Sequence, residues 1–349
     1  MANIRGKVWQ LGIPRHMVLI FCDPCDNSTA LVLDWLIHLG QPFKVILTTD
    51  VITIKRIEIR PEIVFHFSVP SHDGILSTDM FTAVWYRRNM PGIQIPPLVV
   101  GDWLDEKFRT RLRSYWSMEQ DALHDEFMRV LATIPSVGSA FHCGENTLRD
   151  LAAFAKVGGI IPKTLITTSK NEVQVFLDGF PHGVVCKKLN YGFNIDTPSG
   201  FFGQYTEIVD ASTLDKLPEQ FGLTLFQESI PKFVELRIYV LGDHLFAMAI
   251  FSQSNELTRT DFRLEQSHMR TAPFELPDEI KALIRFFMKE IGTNTGSIDM
   301  ILTPLNEYVF LEINTIGQFG MVSQGCHYQL EKQIAHELRG AANPDLVIA

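Results

Sequence analysis

No stretch of the 349-residue chain is apolar for long enough to span a bilayer, and no secretory signal is recognisable, so no membrane partner is expected. Cysteine is scarce: Cys22, Cys25, Cys143, Cys186 and Cys326 make five, an odd number that points to a reducing, cytoplasmic setting. Cys22 and Cys25 form a CxxC, but no second CxxC or His pair accompanies it, so incidental thiols are favoured over a metal or redox site. Basic runs are missing and the formal net charge is −9, which excludes a general affinity for nucleic acid. There is no GxxxxGK[ST], no GxSxG ahead of a helix and no HExxH, which disfavours P-loop enzymes, Ser-His-Asp hydrolases and zinc proteases. Repeats and low-complexity segments are absent too. What remains is a globular composition, 46% hydrophobic and 20% charged, long enough for two or three packed units.

The chain begins with a weakly patterned extension (1–16). Met17–Cys22 is a short continuous apolar run, typical of a buried parallel strand. A helix follows, capped from Asp26, Ser28 or Thr29 and ended at Gly40, and then a strand at Phe43–Leu47. Thr53–Ile59 and Ile63–Phe67 alternate apolar and polar residues as antiparallel strands do, and Val84–Arg88 closes the region. This β-α-β opening predicts an α/β unit. Apolar residues three or four apart over Leu104–Leu131 predict one or two amphipathic helices. After a loop at Pro135–Ser139 come a helix at Asn146–Val157, an extended Ile161–Thr167, a helix at Lys170–Leu177 and a strand at Gly183–Leu189. Asn190–Tyr205 reads as a loop able to cover a site. A strand at Leu225–Ile230 precedes a hairpin over Phe233–Gln253, turned by Gly242 and Asp243. Helices are expected at Pro277–Ile291 and at Tyr328–Arg339, the latter ended by Gly340.

The most informative stretch is Ser297–Met321. TPLN at Thr303–Asn306 separates two apolar runs, so a hairpin is expected, with Asp299 and Glu312 on adjacent strands and Asn314 on the face of Glu312. Three oxygen ligands so placed suit Mg²⁺; equally, they suit a hairpin whose polar residues face water, and spacing alone leaves the two readings even. Elsewhere, each residue has a bland reading beside a functional one. Lys187 and Lys188 end an apolar strand, where a lysine either reaches a phosphate or snorkels to solvent. Glu228 inside a strand either binds ribose hydroxyls or faces water. Arg237 and Arg263 either offset the charge of a transferring phosphoryl group or form surface ion pairs, Arg237 with Glu235 or Asp243. Gly317-Gln318-Phe319-Gly320 reads as a mobile loop beside the metal candidates.

The order of these features is more specific than any one of them. A strand-end lysine, a strand Glu, ELRIYVLGDHLFAMAI, DFR and then D…E-x-N resembles the ATP-grasp superfamily. FLEINTIGQFGMVSQGCHYQLEKQIA is similar to the C-terminal signature of the grasp-with-spasm peptide maturases, relatives of the microviridin-type macrocyclases that make graspetides; LIFCDPCDNSTALVLDWL, VWYRR and GIIPKTLITTS resemble their upstream segments. The likeness spans about Met17 to Leu338. It implies an α/β (α+β) ATP-grasp fold with a pre-ATP-grasp domain at 17–135, a central subdomain at 136–225 and a C-terminal subdomain at 226–349. It implies ATP held by Lys187, by Gln227, Glu228, Ser229 and Ile230 at the adenine and ribose, and by Arg237 and Arg263 at the phosphates. Mg²⁺ would be held by Asp299, Glu312 and Asn314. The implied reaction activates Asp or Glu side chains of a ribosomally made precursor, leader plus core, as acylphosphates and links them to Thr or Ser as esters or to Lys as amides. A homodimer is implied as well.

One position departs from the family's pattern: GENTLRDL has Thr147 where a lysine usually follows the Asn, with Arg149 or Lys163 as substitutes. Two other readings stand beside the peptide ligase. One is an ATP-grasp ligase that adds an amino acid or small molecule to a protein or peptide carboxylate. The other is a nucleotide-binding protein without ligase activity.

Overall fold

The computed structural model describes residues 16–94, 103, 105–142, 144, 146–187, 189, 194–197, 200–203, 206–254 and 270–343. The chain divides into two compact units, Met1–Cys143 with Glu331–Ala349, and Gly144–Leu330.

The first unit opens β1 (Met17–Cys22), α1 (Asn27–His38) and β2 (Phe43–Leu47). All six residues of β1 are buried, as a strand covered on both faces requires. The Asp26 carboxylate accepts from the Ser28 and Thr29 amides and so starts α1. Next come β3 (Ile52–Ile59), β4 (Ile63–Ser68), β5 (Leu76–Ser77), β6 (Phe81–Tyr86), β7 (Ile93–Gln94), α2 (Glu106–Ala132) and β8 (Ser136–Val137). One sheet has the order β2-β1-β6-β8 with every pairing parallel, and a second has the order β5-β4-β3-β7. Phe127 of α2 meets Phe65 and Phe67 of β4 edge-on in the shared core.

The second unit contains α3 (Thr147–Lys156), β9 (Thr164–Ser169), α4 (Lys170–Asp178), β10 (Val184–Lys187), β11 (Asn194–Thr197), β12 (Gly200–Gly203), β13 (Glu207–Val209), α5 (Ala211–Lys216) and β14 (Gln220–Glu228). It continues with β15 (Val234–Leu241), β16 (His244–Ile250), β17 (Thr271–Phe274), α6 (Asp278–Ile291), β18 (Thr295–Leu302), β19 (Tyr308–Asn314) and α7 (Gly320–Cys326). A four-stranded sheet, β13-β10-β14-β9, carries α4 and α5 on an apolar face built on Val173, Val184, Leu214 and Phe226. A five-stranded sheet runs β17-β16-β15-β18-β19. Alternation along its strands sends Leu236, Ile238, Ile298, Met300 and Phe310 to one face, against α3 and α6; Phe154 of α3 stacks on Phe310 at 4.4 Å. Glu235, Arg237, Ser297 and Asp299 therefore go to the opposite face.

The last helix, α8 (Leu330–Ala342), packs with the first unit: the Ala342 carbonyl accepts from Thr82 Oγ1 at 3.1 Å, and Asn343 donates to Gln41 at 2.8 Å. Helix α8 thus groups by contact with the first unit, although it lies in the sequence range expected for the 226–349 subdomain. The boundary drawn at 225/226 falls inside β14. Gly340 does not end α8, which runs on to Ala342, and helix α7 begins at Gly320, the last residue of the expected loop. Within 190–205, the described residues form the β11–β12 hairpin rather than a loop. Of the 1–16 extension, only His16 is described.

Candidate active site

The β18–β19 hairpin puts Asp299 opposite Glu312 and Ser297 opposite Asn314. It does so through an irregularity. Met300 pairs with Phe310, so regular pairing would set Leu311 against Asp299 and turn Glu312 toward Ile298 and the core. A bulge between Met300 and Asp299 absorbs Leu311 and restores Glu312 to the polar face. Phe310 and Ile313 both stay in the core, and Leu311 joins Glu312 on the other side.

Arg237 on β15 is the register partner of Asp299 on its other flank. Its Nη1 lies 3.3 Å from Asp299 Oδ2 and 3.4 Å from Oδ1, and its buried Nε has no hydrogen-bond partner among the described residues. Arg237 thus pairs with Asp299, not with Glu235 or Asp243. Glu235, two residues back along β15, is only 6% exposed; it accepts from Ser252 Oγ at 2.6 Å and from Lys232 Nζ at 3.0 Å.

Lys232, Glu235, Asp299 and Glu312 border a cavity of about 320 Å³ between the two sheets of the second unit; Arg237 reaches Asp299 but is not among the residues that line it. Lys187, Gln227, Glu228, Ser229, Ile230, Glu235, Asp299 and Glu312 all line it, with Val185, Ile208, Ile301 and Leu311 as apolar walls. One end is the segment that follows β14, tied back by the Ser229 amide to the Gly183 carbonyl at 3.0 Å; the other is the Asp299–Glu312 pair. Gln227 is buried and donates to Thr164 Oγ1 at 3.1 Å. The Glu228 carboxylate accepts from the Lys163 amide at 2.7 Å.

Two site candidates stand differently. Asn314 is not among the residues bordering the cavity, and its Oδ1 accepts from the Ile316 amide at 3.0 Å. Arg263 and Lys188 lie outside the described residues. Of the substitutes for a lysine at 147, Arg149 is bound to the buried Asp150 at 2.8 Å and Lys163 meets Glu228 through its backbone. The second lysine bordering the cavity is instead Lys232. Sequence reasoning passed over Lys232 and Glu235; the signal was the i, i+3 spacing of opposite charges entering a hydrophobic strand. The loop after β19, expected to be mobile, is tied down: the Gly317 amide donates to the Asn314 carbonyl, and Ser297 Oγ donates to the Gln318 carbonyl at 3.1 Å. Cys22, Cys25, Cys186 and Cys326 are free thiols, and burial, aided by Asp26 and Asp23, pushes Cys22 up to about 11, far from the range of a redox thiolate.

The donor set fits a magnesium nucleotide. Carboxylates facing each other on neighbouring strands lie with Cβ atoms about 4.5–5.5 Å apart and repel, which a divalent cation between them relieves. Among the described residues no group of three or more His, Cys, Asp or Glu side chains forms a metal cage. Mg²⁺ needs none: one or two carboxylates suffice when phosphate oxygens and water complete the shell. The cavity has the size of a small-molecule site, with apolar walls, and the cations Lys187 and Lys232 that border it answer a polyphosphate, with Arg237 behind Asp299.

No protein-family model and no curated protein matches the chain. Solved structures do. The macrocyclase MdnC of Microcystis aeruginosa MRC, solved with its precursor peptide MdnA, is 27% identical, with a TM-score of 0.68 over 92% of this chain and 99% of its own. A RiPP-associated ATP-grasp ligase of Chryseobacterium gregarium, solved with ADP and a leader and core peptide, is 24% identical, with a TM-score of 0.71 over 95% of this chain and 97% of its own. The macrocyclase MdnB of Microcystis aeruginosa MRC is 24% identical, with a TM-score of 0.65 over 92% and 98%. This chain has the ATP-grasp fold, and over nearly its whole length it is similar to peptide macrocyclases and RiPP-associated ligases.

Proposed function

We propose that this chain is an ATP- and Mg²⁺-dependent peptide ligase that cross-links side chains of a ribosomally made precursor. The observation that carries this reading is the cavity itself, which brings Lys187 and Gln227–Ile230 together with two opposed carboxylates, in a chain similar to a macrocyclase solved with its precursor. Val185, Ile208, Ile301 and Leu311 wall the base. Main chain at Glu228–Ile230 meets its edge. The ribose falls to Glu235, which borders the cavity and whose bonds to Ser252 and Lys232 both use Oε1, with Glu228, held through its own Oε1 by the Lys163 amide, beside it. Lys187, Lys232, Arg237 and Arg263 hold the phosphates. Asp299 and Glu312 ligate Mg²⁺, with Asn314 as the third oxygen donor once its amide releases Ile316. Bound there, Mg²⁺ neutralises charge on the phosphoryl group in transfer.

An Asp or Glu carboxylate oxygen of the core attacks the γ-phosphorus, the bond to the β-phosphate oxygen breaks, and ADP leaves. A Thr or Ser hydroxyl, or a Lys amine, then attacks the acyl carbon and phosphate departs, the nucleophile's proton passing to solvent. Each link removes one water from the peptide. Arg237 faces the charge that develops and Asp299 fixes its guanidinium, so the protein's share is positioning and electrostatic stabilisation. Leader plus core make up the peptide partner. A homodimer is favoured by the face of α2, where Phe108, Tyr115 and Met118 are 49%, 53% and 62% exposed. ATP supply and free thiols favour the cytoplasm.

The test is mass spectrometry of a precursor peptide, leader plus a core holding Thr and Glu, incubated with enzyme, ATP and Mg²⁺. Successive losses of one water are expected. Gain of an amino acid's mass, or ATP turnover without any change in the peptide, would refute cross-linking.

A further inference from the structure

The loop after β19 is held in place more firmly than a connection needs. Gly317 has φ of 67°, and a Cβ there would lie 3.1 Å from the Tyr239 ring, so the backbone rests directly on that ring. Phe319, 2% exposed, packs against the same ring with centroids 5.7 Å apart. The Tyr239 hydroxyl is itself 3.1 Å from Thr295 Oγ1. Asn314 anchors the start of the loop through its carbonyl and its side-chain oxygen. Between these supports stands Gln318, the one exposed residue from Ile313 to Phe319. Its carbonyl is fixed by Ser297, which lies on the same face as Asp299 and two residues away, about 7 Å along the strand.

We infer that the Gln318 side chain is a specificity-determining contact for the peptide substrate, pairing with a main-chain peptide group of the core next to the reacting residue. The inference rests on the peptide-ligase reading above. A carboxamide offers two N–H donors and an oxygen acceptor, the complement of a peptide group's C=O and N–H. It is also neutral, so beside Asp299 and Glu312 it adds no repulsion toward an acidic core, as a carboxylate would. Because the fold holds the Gln318 backbone and not its side chain, replacing the side chain leaves the loop's supports intact.

The experiment compares wild type with Q318M, which keeps length and volume but no polar group, and Q318E. Each is given the same leader-plus-core precursor peptide, and ADP release, water loss and the thermal shift produced by Mg²⁺ and ADP without peptide are measured. The expected result is a rise in KM for the peptide of roughly 3- to 10-fold in Q318M and more in Q318E. The melting temperature and the nucleotide-induced shift stay at wild-type values. An unchanged KM in both variants overturns the contact while leaving the ligase reading standing. A lost nucleotide shift overturns it in favour of a structural role. Absence of water loss with wild type itself overturns the ligase reading and this inference with it.

Discussion

Replacing Asp299 by Asn separates what this carboxylate does for the fold from what it does for the metal. Asn keeps the shape and one oxygen toward Arg237 but removes the charge. The Arg237 and Asp299 side chains are 12% and 17% exposed, and their contacts of 3.3 and 3.4 Å are long for a charge-assisted bond. Exposed pairs contribute about 0–1 kcal/mol, and breaking a well-made buried pair costs about 3–5 kcal/mol. A largely buried but loosely made pair falls between, so D299N is expected to cost about 1–2 kcal/mol. For a unit the size of Gly144–Leu330, that lowers the melting temperature by roughly 2–8 °C. The metal effect is read separately. With wild type, Mg²⁺ and ADP at about 100 times their dissociation constant stabilise by about 2.7 kcal/mol. In D299N the increment that Mg²⁺ adds over ADP alone should vanish, and linkage activity with it. Scanning calorimetry of both proteins with no ligand, with ADP, and with ADP and Mg²⁺ decides the matter. A D299N protein that keeps the wild-type Mg²⁺ increment would refute the assignment of Asp299 to the metal, whatever its stability.

Two further outcomes follow from the same geometry. If Glu235 binds the ribose, wild type should discriminate ATP from 2′-deoxy-ATP by roughly tenfold or more, the size of a hydrogen bond to a charged group, and E235Q should lose most of that preference; a preference that survives E235Q removes Glu235 from the ribose. Cys22, raised to about 11 by burial and then by Asp26 and Asp23, stays protonated at pH 8, and burial raises Cys186 and Cys326 in the same direction. Iodoacetamide at that pH should therefore reach the exposed Cys25 first, and peptide mapping that finds Cys22 labelled as fast would contradict the buried-thiol account.

What could be read beforehand depended on how local the cause was. β1, α1 and α6 were legible because a continuous apolar run, an Asp cap and a Pro277-to-Gly292 frame are written within a dozen residues or so. The place of α8 was not, because it depends on contacts made some three hundred residues upstream, such as the Gln41–Asn343 bond. The same holds within the site. Asp299, Glu312 and Gln227–Ile230 stood out by order along the chain, and the structure brings them to one cavity. Glu235 and Lys232 looked like ordinary surface charges, because burial at a cavity wall is set by strands distant in sequence. Asn314 shared the face of Glu312 by parity, yet parity says nothing about a competing bond to the Ile316 amide.

The parity argument itself needed a feature that it did not contain. Adjacent strands alone do not bring Asp299 and Glu312 together: with Met300 opposite Phe310, unbroken pairing sends Glu312 into the core beside Ile298. The trace of the solution is in the residues. Phe310 and Ile313 are both core residues three apart, a spacing that period-two alternation forbids, so an extra residue must be absorbed between them. That residue, Leu311, is apolar, and on leaving the ladder it becomes a wall of the cavity next to the carboxylate it has re-aimed. A single bulge therefore supplies both an apolar contact for a ligand and the second carboxylate for its metal. The strand it re-registers ends at Asn314, from which the anchored loop carries Gln318 out beside Ser297. Cavity wall, opposed carboxylates and anchored loop are thus consequences of one irregularity in one hairpin, which is why no regular spacing rule could have located all three.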